Sequence, residues 1–127
     1  MVTSLYSFQT PKTTSVDKLF VLTKTKETTE VMVKQVIGMY QKQYPNVSMM
    51  TWGGIESSIN YQGYYKKVKQ IYSSNYTDAE IKELIKLYTP KTMDKYNAKT
   101  KKVEQQLYNV GKEFGKEISQ LINSKIK

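Results

Sequence analysis

The chain has 127 residues and a formal charge of +9; its twenty basic residues are all lysine, and it contains neither cysteine nor histidine. That length suits one domain with a single core and not two, and the missing side chains exclude disulfides, thiolate chemistry, triads built on histidine and histidine-bearing zinc sites. Lysine without arginine supplies hydrated point charges but no planar fork for guanine edges or bidentate phosphate, so the basicity speaks for solubility and loose attraction to anions and against nucleic acid as a partner.

Residues 1–14 carry Pro11, serines and threonines and an aperiodic handful of apolar side chains (Val2, Leu5, Tyr6, Phe8), the pattern of a flexible arm. Without a basic start or a continuous apolar run, the arm is not a complete signal peptide; it reads as the remnant of one, or as a mature N-terminus behind an added Met1. No stretch of the chain approaches the ~20 apolar residues that a membrane-crossing helix needs.

Residues 15–127 read as a helical domain. Thr14 with Asp17 suggests a cap, followed by Val16, Leu19, Phe20 and Thr23 on one face. A polar break over Lys24–Lys26 leads to a longer predicted helix, Glu27 to Tyr44, ended by Pro45. Its stripe is Val33, Val36, Ile37, Tyr40 and Tyr44, widened by Val31, Met32 and Met39, and so broad a face suits a helix with more than one neighbour. Asn46 to Gly54, which holds the only tryptophan, reads as a loop or one short turn, with another turn over Glu56–Asn60. Tyr61, Tyr64, Tyr65, Val68, Ile71 and Tyr72 then recur at the three-and-four spacing of a helix over Tyr61–Ser73.

Thr77 and Glu80 form a capping box, and Ile81, Leu84, Ile85 and Tyr88 make the stripe of the helix that follows, up to Pro90. Beyond it Met93, Tyr96, Thr100, Val103, Leu107, Val110 and Phe114 alternate by three and four, and Ile118, Leu121 and Ile122 continue the face. This predicts one helix from Lys91 to about Ser124, about 50 Å long, as the spine of an all-α, single-domain bundle of about five helices. Such a spine also offers a surface for homo-oligomers. Gly111 and Gly115, four apart within it, suit close approach of a neighbouring helix, or a kink.

These residues resemble the bacterial family catalogued as domain of unknown function 2059. The resemblance runs from Lys18-Leu19-Phe20 and Leu22-Thr23-Lys24-Thr25-Lys26-Glu27 through Met32, the Gln43-Tyr44-Pro45 break and Tyr72 to the Y-T-D-A-E-I-K-E-L-I-K-L-Y segment and the long last helix. Thr89-Pro90 falls one residue earlier than in that family's pattern, and Thr92 or Met93 stands where it has glycine. The resemblance implies an exported all-helical protein of the periplasm or the extracellular space, with envelope proteins as partners. It implies no activity.

Three groups are candidates for function. Asp78, Glu80 and Glu83 form a carboxylate cluster, but they sit in the first helical turn, where capping and the helix dipole account for them. Trp52, Tyr61, Tyr64 and Tyr65, with Tyr72, are candidates for an aromatic platform for a sugar or for an apolar or lipid-like ligand held between the tyrosine-rich helix and the long one; the alternative is plain core. Lys66, Lys67 and Lys69, with Lys95, Lys99, Lys101 and Lys102, are candidates for weak contact with an anionic surface; the alternative is a solvated face, since Glu83, Asp94 and Glu104 are interspersed. No catalytic, cofactor or metal constellation emerges, and the expected function is a non-catalytic module for protein contacts or weak ligand binding, with the apolar-ligand carrier as the other reading.

Overall fold

The structure is a computed structural model that describes residues 10–86 and 97–126. Six helices lie among the described residues: α1 (Thr13–Leu22), α2 (Thr25–Gln43), α3 (Met49–Ser57), α4 (Tyr61–Asn75), α5 (Asp78–Lys86) and α6 (Asn97–Ile126). No strand occurs among them, so the chain forms the expected all-α bundle with a long C-terminal helix. α6 has 30 residues, or about 45 Å at the helical rise. The start expected for it at Lys91, like the end of the preceding stripe at Tyr88, lies outside the described residues. So do residues 1–9 of the expected arm; Pro11 is buried and α1 already begins at Thr13.

Local chemistry explains where the helices begin. The capping box forms as read: Thr77 N donates to Glu80 Oε1 at 2.9 Å and Glu80 N donates to Thr77 Oγ1 at 3.2 Å. Asn60 Oδ1 accepts from Gly63 N at 2.9 Å to start α4, and a Cβ at position 63 would run into that same Asn60 side chain, which is why glycine belongs there. α1 departs from expectation. Thr14 and Asp17 make no cap; the N-cap is Lys12, whose backbone N–H donates to Asp78 Oδ1 at 2.9 Å, so a carboxylate at the start of α5 serves the start of α1. Asp17 instead pairs with Lys69 Nζ at 3.1 Å.

The segment Met49–Ser57, read as loop or single turn, is a helix of 9 residues begun by Ser48 Oγ, which accepts from Thr51 N at 3.2 Å. Gly53 and Gly54 each cost about 1 kcal/mol in a helix. Trp52 and Ile55, 3% and 0% exposed, lie three apart on one face, and burying two such side chains is worth roughly 1.5–3 kcal/mol each, which wins.

Between α1 and α2 the chain turns at Lys24, the one non-glycine residue with positive φ (56°) among those described. Left-handed backbone costs a residue with a Cβ about 1–2 kcal/mol, part of which glycine would return as unfolded-state freedom. Lys24→Gly is expected to raise unfolding free energy by up to about 1 kcal/mol in urea titrations; an unchanged or lower midpoint would contradict the strain.

The buried apolar side chains form two clusters where length suggested one. The first joins α1 (Val16, Leu19, Phe20), α4 (Tyr65, Val68, Tyr72), Tyr76, α5 (Ile81, Leu84) and Val103 of α6. The second joins α2 (Val33, Ile37), α3 (Trp52, Ile55), Ile59 and α6 (Phe114, Ile118, Ile122). Tyr61 and Tyr64 pack against both, and α6 contributes to both, so the spine role holds. Asn75 ties α4 to α6 inside the bundle: its Nδ2 donates to Ile71 O at 2.8 Å and to Gln106 Oε1 at 2.6 Å. α2 has the several neighbours its broad face suggested: it shares the second cluster with α3 and α6, and Tyr65 of α4 donates to its Lys26 O at 3.5 Å. The residues that widen the face, Val31, Met32 and Met39, are nonetheless 55%, 58% and 71% exposed, and Tyr40 Oη donates to Ser119 Oγ of α6 at 3.3 Å.

Candidate functional site

A groove of about 450 Å³ lies between α2 and α6. Its floor is the edge of the second cluster, with Val33 and Val36 from α2 and Phe114 and Ile118 from α6. Tyr64 of α4 reaches in from below. Exposed Met32 and Tyr108 form the two lips, Lys112 is exposed at the rim, and the buried Thr29 bonds to Tyr64.

Gly111 and Gly115 line the α6 wall, and this overturns their expected use. A Cβ on Gly115 would meet nothing within 4 Å, and one on Gly111 would meet only the Tyr64 hydroxyl at 3.8 Å. No neighbouring helix presses on either of them, and α6 runs unbroken from Asn97 to Ile126. The two missing side chains widen the groove instead.

Of the four aromatic candidates, Tyr64 alone lines this groove. Trp52 is buried in the second cluster and Tyr65 in the first, where its hydroxyl donates to Lys26 O at 3.5 Å. Tyr61 is half-buried between the clusters. The rings form a chain through the molecule: Phe20 meets Tyr65 edge-on at 5.3 Å, Tyr65 meets Tyr61 at 6.0 Å and Tyr64 at 5.9 Å, and Tyr64 stacks on Phe114 at 4.5 Å. Tyr72 stays in the first cluster. Burial pushes the Tyr65 hydroxyl up to about 12, with Glu30 adding to it. Burial also raises Tyr64, partly offset by a hydrogen bond with the Thr29 side chain, and it raises Tyr61, with Glu56 and Glu30 adding to it. At neutral pH these phenols are therefore un-ionised hydrogen-bonding groups and not phenolate bases.

The lysine candidates divide. Lys66 and Lys67 are exposed on α4, whereas Lys69 is held by Asp17 and sits over the Phe20 ring at 4.8 Å. Lys101 and Lys102 are exposed, Lys95 lies outside the described residues, and Lys99 is engaged by Glu80 at 2.6 Å. Two of the cations thus act inside the fold. The carboxylates do so as well: Asp78 takes the Lys12 amide and pairs with Lys82 Nζ at 3.1 Å, and Glu80 closes the capping box.

No family model, curated protein or solved structure matches this chain. The geometry of the groove and of the charged groups therefore carries the functional reading.

The Glu80 site predicts an acid response. Burial acts to raise the Glu80 carboxyl, but the Lys99 ammonium and the Thr77 amide and hydroxyl outweigh it and hold the group below its ordinary value. A carboxyl lowered by folding adds stability that is complete above its unfolded value, about 4.3, and is lost as pH falls through the folded value. The urea midpoint should therefore drop on acidification below about pH 4.5, and Glu80→Gln should flatten that slope. An equally steep acid slope in the variant would show that the Thr77–Glu80–Lys99 cluster is not the source. Asp78, lowered by the Lys12 amide and by Lys82, contributes in the same direction.

The residues that sequence reasoning passed over are Thr29, Tyr108 and Lys112. Tyr108 had a visible signal, a large aromatic off the α6 stripe next to the Gly111–Gly115 gap; the other two had none.

Proposed function

We propose that this chain is a non-catalytic helical binding module whose α2–α6 groove takes a small, apolar, chain-like molecule. The observation that carries the proposal is the groove itself: about 450 Å³, walled mainly by Val33, Val36, Phe114, Ile118 and Met32, and opened by two glycines. Small-molecule sites span about 300–1,000 Å³ with mostly apolar walls and a few polar groups, and this groove fits that description. Methionine suits such a lip, because its flexible thioether adapts to irregular apolar shapes.

The resemblance of the Y-T-D-A-E-I-K-E-L-I-K-L-Y segment and the long helix to the domain of unknown function 2059 family supports an exported setting for this module. Among the described residues no helix is long and apolar enough to cross a membrane. Fractionation of the native host that leaves the protein in the cytosol would remove the exported part of the proposal.

The test is a fluorescence titration of the full chain with the neutral probe N-phenyl-1-naphthylamine, beside Gly115→Leu. A leucine there faces open space and gains about 1 kcal/mol of helix propensity, so the variant should fold and be no less stable. Its side chain fills the groove, and probe affinity should fall by roughly ten-fold or more. No saturable signal in the wild type, or equal affinity in the variant, overturns the proposal. If a second copy is the occupant, light scattering will show a concentration-dependent dimer that Gly115→Leu abolishes, and the small-molecule reading falls.

A further inference from the structure

The walls of the groove are apolar, yet one edge carries a cation. Lys112 is the one charged residue among those lining it, and no carboxylate lines it. The side chain is exposed, and no ion-pair partner stands beside it among the described residues. Helical geometry accounts for this: the positions three and four away on α6 are Asn109, Tyr108, Gly115 and Lys116, so no acidic neighbour is within reach along the helix. Lys66, Lys67, Lys101 and Lys102 are exposed as well, and what sets Lys112 apart is its place on the apolar groove.

A ligand lying in this groove places its tail against the Phe114 and Ile118 floor and one end beside the Lys112 ammonium. Resting on the reading of the groove as a small-molecule site, we propose that its ligand is a single-chain amphiphile with a carboxylate head, and that Lys112 is the head-group anchor. A lone ammonium matches a head of one negative charge, whereas a phosphate monoester carries about −1.5 to −2 and is better met by more than one cation, and no second cation lines this groove.

The experiment is competition against bound N-phenyl-1-naphthylamine with dodecanoate and with 1-dodecanol, which share a tail and differ in charge, using wild-type chain and Lys112→Gln. Exchange of one exposed helical side chain for another good helix former leaves the fold intact. Lys112→Gln should weaken dodecanoate by about five-fold, the scale of a partly exposed ion pair, and leave dodecanol unchanged. Raising the salt concentration should weaken dodecanoate against wild type in the same way, because the attraction is screened. Equal loss of both ligands, or of neither, overturns the anchor role while leaving the groove reading in place. If the probe binds and neither ligand displaces it, the amphiphile assignment is wrong; if the probe itself does not bind, the groove reading fails and this inference fails with it.

Discussion

Phe114→Ala is expected to cost about 3–5 kcal/mol of unfolding free energy, read as a shift of the urea midpoint at constant slope. The ring is 7% exposed and belongs to the second cluster. It stacks on Tyr64 at 4.5 Å and 8° and meets Tyr61 at 6.0 Å. Area burial accounts for most of the loss, and ring geometry adds about 0.5–1.5 kcal/mol. Small domains hold about 5–15 kcal/mol in all, so this single truncation removes a large share. A loss under about 1.5 kcal/mol would mean that the ring is not enclosed as described.

Leu84→Ala, in the other cluster, should cost about 2–5 kcal/mol. The side chain is fully buried (0%), where α5 meets the cluster shared by α1 and α4. The informative part is the shape of the unfolding curve. α6 contributes to both clusters, and Tyr61 and Tyr64 of α4 touch both, so each variant should shift one and the same cooperative transition. A curve that splits into two steps in Leu84→Ala alone would show that the clusters melt separately.

Periodicity made most of this fold legible. Tyr65, Val68 and Tyr72 on α4, and Val103, Phe114, Ile118 and Ile122 on α6, are buried at the spacing read from the chain, because a helical stripe reports its own buried face whatever covers it. What failed depended on distant partners. The start of α1 is held by Asp78, 66 residues away, and no local pattern reveals that. α3 was obscured by its two glycines, whose cost is local while the burial that outweighs it is tertiary. The groove depends on the distance at which α2 stands from α6, which periodicity does not encode. Tyr64 was legible as a candidate and the glycine pair as an oddity, but neither could be placed on the side of α6 that faces α2. Tyr65 is the next residue to Tyr64 on the same tyrosine-rich helix, and only packing separates the two.

α6 is synthesised after the five helices it joins, and it supplies Val103 to one cluster and Phe114, Ile118 and Ile122 to the other. A chain cut between Val103 and Phe114 therefore leaves the α2–α3 side of the second cluster without its wall, while the first cluster keeps all its buried members.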